Sequence, residues 1–370
     1  MTYRVLTINP GSTSTKIGLF EDNDCVFSSN VTHNVEELKQ FNSISDQLGY
    51  RRDMILDLLI KNKINLDSID AYVGRGGGLM AVEGGVYKID EILLDHARRG
   101  ANGVQHPANL GSQIANELAR KFNKPAFVVN PPDTDELAPV AKVTGIKNVY
   151  RNVHLHALNL KETAIRHALS IGCKYEECNF IVCHIGGGVS VSAHKNGRMI
   201  DGNDIVGGEG PMAPTRCGSV PVTEIINLCY SGLDKKGVQA LCTKTGGFVN
   251  HLNTSDAREV VAMVNKGNTY AKLVWDSFKY QIVKEIGSMA TALEGKVDGI
   301  LLGGGIVFDQ GVVDYIDRTC SWIAPVSAYP GEFELEAMNA GALRVLKGEE
   351  KSKQYTGVPV WEASKLHENI

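Results

Sequence analysis

The sequence has no apolar run that approaches the roughly 20 residues of a membrane span. Its N-terminus enters a strand-like segment at once, without the basic and apolar regions of a signal peptide. It also lacks a long basic run, and 38 Lys and Arg against 42 Asp and Glu give a net charge of −4. These absences argue against a membrane or a nucleic acid as a partner. For 370 residues we expect about two to three domains in a soluble, cytoplasmic protein.

Zinc-ligand spacing is also absent from the eight cysteines. The closest group, Cys173, Cys178 and Cys183, has four residues between neighbours rather than the C-x-x-C spacing typical of zinc knuckles. Cys183 lies in an apolar stretch, where a free thiol behaves as a small hydrophobic group. We therefore expect reduced thiols with mainly structural roles.

Neither common glycine-rich nucleotide motif is present. The only Gly-Lys pair, Gly295-Lys296, precedes Val297, whereas a P-loop has Ser or Thr there. Residues 76–81 and 208–213 formally match the dinucleotide pattern G-x-G-x-x-A. The first match is followed by turn and strand residues and not by the helix that a Rossmann unit requires. A bound nucleotide must therefore be held in another way.

The most informative stretch that is present covers residues 179–218. An apolar run predicts a strand, a glycine triplet follows, and alternating residues then predict a second strand. Because the triplet has no Cβ atoms, its backbone N–H groups can approach a phosphate closely. The triplet is Gly186, Gly187 and Gly188. A glycine-rich loop that begins at Gly207 then leads to Arg216.

The same strand, loop and strand layout occurs at the N-terminus, over residues 4–20. One glycine turn alone most often serves only to reverse the chain. Here the N-terminal loop adds several hydroxyl donors, and a third glycine triplet follows a predicted strand at residues 303–305. Together these features favour phosphate binding by a duplicated α/β domain.

Five motifs in order carry a resemblance to a known family. They are residues 9–16 (NPGSTSTK), 73–77 (VGRGG), 106–110 (HPANL), 184–188 (HIGGG) and 214–218 (PTRCG). This order resembles the acetate kinase and butyrate kinase family of the actin, Hsp70 and sugar-kinase superfamily. The resemblance implies an α/β, duplicated actin-like ATPase (ribonuclease H-like) fold, in which each of two lobes has a mixed sheet flanked by helices.

We expect the N-terminal lobe at residues 1–150 plus about 333–370, on the phosphate and acyl-substrate side. The C-terminal lobe is then residues 151–332, on the nucleotide side and with the oligomer contacts. The long predicted helix over residues 268–293, together with family habit, indicates a homodimer or a larger homo-oligomer.

The resemblance also implies site residues. Its catalytic candidates are Arg75, Arg216, His184 and His156. The ATP phosphates are assigned to Asn9, Ser12, Ser14, Lys16, Gly186, Gly187 and Gly188, and the adenosine to Gly303, Gly304 and Gly305. The acyl pocket is assigned to Gly77, Val104 and Gly207, where smaller side chains would admit a longer acid. Mg²⁺ is implied by the triphosphate, with Glu332 or Glu334 as its ligand, although a carboxylate at a helix N-terminus equally fits a structural role.

Two departures from the family pattern limit these assignments. The second histidine of the His156 motif is Leu160 here. Acetate kinases have an aspartate at the position that aligns with Asn130. A carboxylate acceptor is already ionised at neutral pH and needs no general base, so the asparagine suits an acyl kinase better than a sugar kinase. Whether Asp133, Asp135 or Glu136 replaces a lost magnesium contact stays open.

We therefore predict a short-chain fatty acid kinase that exchanges a phosphoryl group between ATP and butanoate. The products are ADP and butanoyl phosphate, and the transfer is direct, in line and reversible. A branched acid such as isobutyrate is the first alternative. A non-catalytic ATP-binding protein of the actin or Hsp70 kind is the second.

Overall fold

The structure is a computed structural model that describes residues 2–152 and 154–362. The chain divides into two compact units. Unit 1 comprises Met1–Asp135 and Phe333–Ile370, and unit 2 comprises Glu136–Glu332. Unit 1 is therefore discontinuous in sequence, and unit 2 is contiguous.

Unit 2 begins at Glu136, earlier than residue 151, where we expected the C-terminal lobe to begin. The segment after Glu136 bonds to the rest of unit 2. The N–H of Ala138 donates to the carbonyl of Ile200 at 2.9 Å, and Arg151 forms an ion pair with Asp201 at 2.9 Å. These contacts tie the segment to the second half of the chain.

The first segment of unit 1 alternates strands and helices. Its strands are β1 (Arg4–Pro10), β2 (Ser14–Glu21), β3 (Asp24–Thr32), β4 (Ala71–Gly74), β5 (Val86–Lys88) and β6 (Ala126–Val129). Its helices are α1 (Val35–Leu38), α2 (Leu48–Lys61), α3 (Glu91–Arg99) and α4 (Asn109–Lys121). Short 3-10 turns cover Ser45–Gln47 and Leu66–Ser68.

Unit 2 carries the longest helix. Its helices are α5 (Pro139–Lys142), α6 (Ala157–Ser170), α7 (Val222–Cys229), α8 (Lys235–Thr243), α9 (Gly247–Leu252), α10 (Ala257–Asn265), α11 (Thr269–Ala292) and α12 (Gln310–Cys320). Its strands are β7 (Asn179–Ile185), β8 (Val189–Lys195), β9 (Arg198–Gly202), β10 (Gly299–Gly304) and β11 (Val326–Pro330). Short 3-10 turns cover Tyr175–Glu177 and Gly305–Phe308.

The chain then returns to unit 1 with α13 (Glu334–Leu346) and β12 (Lys353–Gln354). α13 packs against β1, β4 and β6, and β12 pairs with β5. The sheet of unit 1 has the order β12-β5-β6-β4-β1-β2-β3, and the sheet of unit 2 has the order β11-β10-β7-β8-β9.

The two sheets share one plan, as the resemblance implied. β1 is antiparallel to β2 and parallel to β4, and β7 is antiparallel to β8 and parallel to β10. A third strand, β3 or β9, continues each hairpin. Helices flank both mixed sheets, so the prediction of a duplicated α/β fold is confirmed. Within the described residues, no helix is both long and apolar enough to cross a membrane.

Each sheet is covered by its own hydrophobic core. In unit 1, Leu6 of β1 packs in one cluster with Ile55 of α2 and Ile114 of α4. In unit 2, Ile181 of β7 packs with Phe278 of α11. Most of the apolar stripe that predicts α11 is thus buried, but Leu273 near its start is 62% exposed. Asn268 caps this helix by accepting from the N–H of Ala271.

In two helices the cap residue is not the Asn or Ser that stands next to it. Asn109 lies inside α4 and does not cap it, because Ala108 takes the cap position and the Asn109 amide donates to the carbonyl of Val104. α10 is capped by Asp256 and not by Ser255. The Asp256 carboxylate accepts from the N–H of Arg258 at 2.8 Å, a bond that a side chain one residue earlier does not make here.

Candidate active site

The β1–β2 loop of unit 1 presents free hydrogen-bond donors. The N–H of Gly11 donates to the carbonyl of Ser14 at 2.7 Å and closes a tight turn. Ser12 and Thr13 at its tip are exposed. Among the described residues, no partner is found for the backbone N–H or the hydroxyl of either one. The loop therefore offers several donors at one point, as a phosphate group requires.

Asn9 and Arg75 meet at one carboxylate of unit 1. Arg75 follows β4, and its N–H donates to the carbonyl of Ile8 at 2.8 Å. Its Nη2 lies 3.7 Å from Oε1 of Glu334, while the Asn9 amide donates to Oε2 of the same side chain. The Nη1 atom of Arg75 is buried and has no hydrogen-bond partner in the part of the chain that the structure describes. An unpaired, buried guanidinium nitrogen is a ready donor for an anion.

Gly77 and Val104 of the predicted acyl pocket both contact Asn109. The Asn109 amide donates to the Val104 carbonyl at 3.0 Å. A Cβ built on Gly77 would lie 2.6 Å from Asn109 Oδ1, and one built on Gly207 of unit 2 would lie 2.4 Å from an Asp204 oxygen. A side chain added at either glycine would therefore meet a polar group at its first carbon. Their role in an acyl pocket stays a prediction.

Unit 2 brings together three of the predicted residues, His156, His184 and Arg216. The two imidazole rings are stacked with centroids 4.0 Å apart, and His156 Nδ1 lies 2.8 Å from Ser190 Oγ on β8. A Cβ built on Gly188 would lie 2.0 Å from Arg216 Nη1 and 3.1 Å from His156 Cε1. Gly188 is thus required for the arginine to lie across the β7–β8 turn.

The Arg216 guanidinium is held with one unused donor. Its Nη1 is buried without a hydrogen-bond partner among residues 2–152 and 154–362. Burial lowers the pKa of Arg216, and the Asp204 carboxylate opposes that shift. Burial also opposes ionisation of Asp204, but hydrogen bonds from His154 and from the N–H groups of Gly207 and Val206 keep its pKa below the usual value. The result is a cation with a fixed carboxylate near it and a donor left for an incoming anion.

A cavity of about 790 Å³ lies in unit 2 beside the β7–β8 turn. Four predicted site residues line it: Gly186, Gly187, Gly305 and Glu332. Its remaining wall includes aromatic and charged side chains that we did not predict, namely Trp275, Phe308, Asp256 and Arg258. Apolar walls with a few polar groups and a glycine turn at one end suit a nucleotide.

Gly303 and Gly304 have a different local role from Gly305. They belong to β10 and are buried, and neither lines this cavity. A Cβ on Gly304 would lie 2.4 Å from the carbonyl oxygen of Ile185. Gly304 thus lets β10 approach β7 closely, whereas a Cβ on Gly303 would lie 3.6 Å from its nearest neighbour, an ordinary contact distance. The predicted contact of both glycines with adenosine stays a prediction.

The acidic residues near Asn130 are engaged in local bonds. Asn130 is buried with a φ of 37°, and its Oδ1 accepts from the N–H of Gly85 at 2.7 Å. Glu136 is buried and accepts from Lys161 Nζ at 2.8 Å, which makes it a structural anchor of unit 2. Among the described residues, no group of three or more His, Cys, Asp or Glu side chains is placed to hold a metal ion.

Sequence reasoning gave no role to Asn109 and Asp204. It also missed Arg51, a buried residue of α2 whose guanidinium donates to the carbonyls of Gly11 and Ser12 in the β1–β2 loop. One signal was present for Arg51: it precedes Ile55 and Leu59 at intervals of four, which places it on the buried face of α2. Asp204 gave no comparable signal, because its position depends on the path of an irregular loop. The cysteines are free thiols, as expected.

Comparisons with known proteins agree with this fold. A model of the acetokinase family matches residues 137–314. The chain is 44% identical to a probable butyrate kinase from Clostridium botulinum (strain Alaska E43 / Type E3), over 96% of this chain and 100% of the relative. It is 43% identical to butyrate kinase 1 of Clostridium acetobutylicum, over 95% of this chain and 99% of the relative.

A solved structure shows the same architecture. The crystal structure of Porphyromonas gingivalis acetate kinase superposes with a TM-score of 0.76 at 20% identity. The superposition covers 93% of this chain and 100% of the acetate kinase chain. At this level of identity the likeness concerns the fold.

Proposed function

The chain belongs to the acetokinase family, and we propose that it is a butyrate kinase. In this reaction an oxygen of butanoate attacks the γ-phosphorus of ATP, and the bond from that phosphorus to the β–γ bridging oxygen breaks. Butanoyl phosphate and ADP are formed, and the reverse reaction makes ATP. The observation that carries the proposal is the 44% identity to a probable butyrate kinase over 96% of the chain. Two arginines that each keep a buried, unpaired nitrogen support it.

Arg75 and Arg216 are assigned to the charge problem of this transfer. A carboxylate and a triphosphate are both anions, and the transition state spreads negative charge over the equatorial oxygens of the moving phosphoryl group. A guanidinium matches such oxygens with two parallel donors. A single fixed donor at a developing charge is worth about 3 kcal/mol of barrier. His184, stacked on His156, is assigned as a further donor to phosphate.

No residue is required to remove a proton in the forward direction, because butanoate is ionised at neutral pH. The fold accordingly uses Asn130 for a structural bond to Gly85 at the place where the resemblance expects an aspartate. Sugar kinases, which act on a hydroxyl, need a base at such a position.

ATP and Mg²⁺ fit the residues present. The exposed donors of Ser12 and Thr13 suit phosphate oxygens, and Glu332 lines the cavity beside Gly186. Mg²⁺ in phosphoryl-transfer sites is commonly bound by one or two carboxylates and by the phosphates themselves, and it neutralises phosphate charge when bound. We assign Glu332 as its protein ligand in preference to Glu334, whose oxygens face Asn9 and Arg75.

The proposal is tested by trapping the product. With ATP, butyrate and hydroxylamine, we expect butyryl hydroxamate to form, and kcat/KM for the unbranched acids to peak at four carbons rather than two. Each methylene buried in the pocket contributes about 0.8 kcal/mol, or roughly fourfold in kcat/KM. Isobutyrate, assayed in parallel, separates the branched-acid alternative.

The controls distinguish the remaining alternatives. Acetate measures the background preference for the shortest acid, and glucose tests for a sugar kinase. ATP hydrolysis without formation of hydroxamate would indicate a superfamily member that binds and hydrolyses ATP but does not phosphorylate carboxylic acids. A preference for acetate would contradict the assignment of butyrate.

A further inference from the structure

We propose that Arg51 is a positioning residue for the triphosphate. From behind the β1–β2 loop it turns the loop carbonyls inward, which leaves the loop N–H groups for phosphate, and it adds a positive charge beneath them. The inference rests on the proposed function, which places phosphates at this loop, and deepens it. Arg51 itself need not touch the substrate.

The burial of Arg51 is unusual for an arginine. Arg51 is 0% exposed, and it has the largest fully buried side chain among the residues that the structure describes. Among the described residues, no carboxylate oxygen lies within 4.0 Å of the Arg51 guanidinium, the distance that defines an ion pair. A buried charge without a counter-charge costs several kcal/mol, so a purely structural purpose would be served better by an apolar residue.

The hydrogen bonds of Arg51 converge on the loop. Nη1 donates to the carbonyl of Gly11 at 2.8 Å, and Nη2 donates to the carbonyl of Ser12 at 3.0 Å. Nη1 also reaches Thr15 Oγ1 at 3.3 Å, and Nε donates to Gln47 Oε1 at 3.0 Å. The planar fork of the guanidinium thus holds two successive carbonyls in one orientation.

Neighbouring bonds complete this arrangement. The N–H of His33 donates to the carbonyl of Thr13 at 2.8 Å, and the N–H of Gly11 donates to that of Ser14 at 2.7 Å. Every carbonyl from Gly11 to Ser14 is therefore occupied from within unit 1. The N–H and hydroxyl groups of Ser12 and Thr13 have no such partner among the described residues, and both residues are exposed. The loop has its acceptors turned inward and its donors available to solvent, which is the polarity of an anion site.

The charge of Arg51 acts on the groups around the loop. Burial, and then the charge of Arg51, lower the pKa of His33 to about 4. Desolvation, then Arg75 and then Arg51 lower the pKa of His106. Both shifts have the direction expected from a nearby positive charge. Since no carboxylate of the described residues is paired with Arg51, that charge is available to attract phosphate.

The experiment measures ADP and adenosine binding to Arg51→Lys and Arg51→Gln by calorimetry, together with KM for ATP and for butyrate. We expect the Kd for ADP to rise about tenfold in Arg51→Gln and less in Arg51→Lys, which keeps the charge but loses the fork. The Kd for adenosine and the KM for butyrate should stay within about twofold, because neither is bound through these N–H groups. The matched control is Arg52→Gln, which removes an equal charge from the same helix, where Arg52 pairs with Glu117.

The inference is overturned if ADP and adenosine weaken equally, or if a folded Arg51→Gln or Arg51→Lys binds ADP as the wild type does. Should Arg51→Gln fail to fold, the comparison of Arg51→Lys with the wild type carries the same test. Wild-type protein that forms no butyryl hydroxamate, with variants that still lose ADP affinity, would reject the proposed function and leave the role of Arg51 intact.

Discussion

At the scale of single residues, the sites consist of charged groups held by burial and by backbone contacts. Arg75 and Arg216 could be proposed from the sequence because each stands in a glycine-rich surrounding, where a guanidinium can come close to backbone and ligand. Arg51 was not predicted, although its spacing with Ile55 placed it inside, because no rule of sequence states that a buried arginine will bind carbonyls instead of a carboxylate. A role for a sequence motif could be proposed from its residues, whereas the contact of Arg51 with the loop carbonyls could not.

His33 gives a pH prediction. Its pKa is lowered from 6.5 to about 4 by burial and by Arg51, so the unfolded chain binds the proton more readily than the folded one. Stability is therefore full above about pH 6.5 and falls as the pH drops towards 4, by up to roughly 3 kcal/mol. Urea unfolding of the wild type and of His33→Gln between pH 7.5 and pH 4 measures it, and the variant should lose this part of the slope. An unchanged slope would show that the pKa of His33 is the same in the folded and the unfolded chain.

At the scale of elements, the strands and helices were largely predictable and the irregular loops were not. The predicted helix over residues 268–293 is found at Thr269–Ala292, and Asn196-Gly197, a pair typical of hairpin turns, joins β8 to β9. Period and turn chemistry are local, so one sequence suffices for them. The approach of Arg216 to Gly188 depends on a loop of many residues that folds back on another strand, and no local pattern encodes such a distance.

Gly188 gives the prediction for the β7–β8 turn. In Gly188→Ala the new Cβ would lie only 2.0 Å from Arg216 Nη1, so the guanidinium must move. We expect kcat to fall about 100-fold, as when one fixed donor is lost. Because both changes remove the same interaction, Gly188→Ala combined with Arg216→Ala should be no slower than Arg216→Ala alone.

The matched variants for this turn are two other glycines of unit 2. Gly145→Ala meets no atom within 4 Å and displaces no side chain, so its kcat should equal that of the wild type. Gly187→Ala also meets no atom within 4 Å and should cost less than Gly188→Ala. Additive losses in the double variant would mean that the alanine acts elsewhere than on Arg216.

At the scale of the whole molecule, the chain builds unit 1 from two distant segments. The returning helix α13 buries Ala337, Met338, Ala342 and Leu343, and Asn339 donates to the carbonyl of Asp22 at 2.8 Å. Tyr355 is buried and its hydroxyl accepts from the N–H of Met80 at 2.9 Å. The second segment is thus part of the core of unit 1.

Removal of residues 333–370 should therefore unfold unit 1. Each large α13 side chain that is no longer buried lowers the free energy of unfolding by about 2 kcal/mol, and the newly exposed sheet face lowers it further. The total stability of a domain is only about 5–15 kcal/mol. Chemical denaturation and limited proteolysis of residues 1–332 should show unit 2 intact and unit 1 digested. Tyr355→Phe, which loses about 1 kcal/mol, serves as the folded control. A truncated chain with an intact unit 1 would show that the first segment is sufficient.

The path of the chain also fixes an order of events during synthesis. Since unit 2 is contiguous and lies between the two segments of unit 1, a ribosome completes it before α13 exists. Unit 2 can fold on the nascent chain. The face of the unit 1 sheet that α13 covers stays exposed while nearly 200 further residues, from Glu136 to Glu332, are translated. In a living cell this waiting sheet is the part of the protein that a chaperone would need to shield.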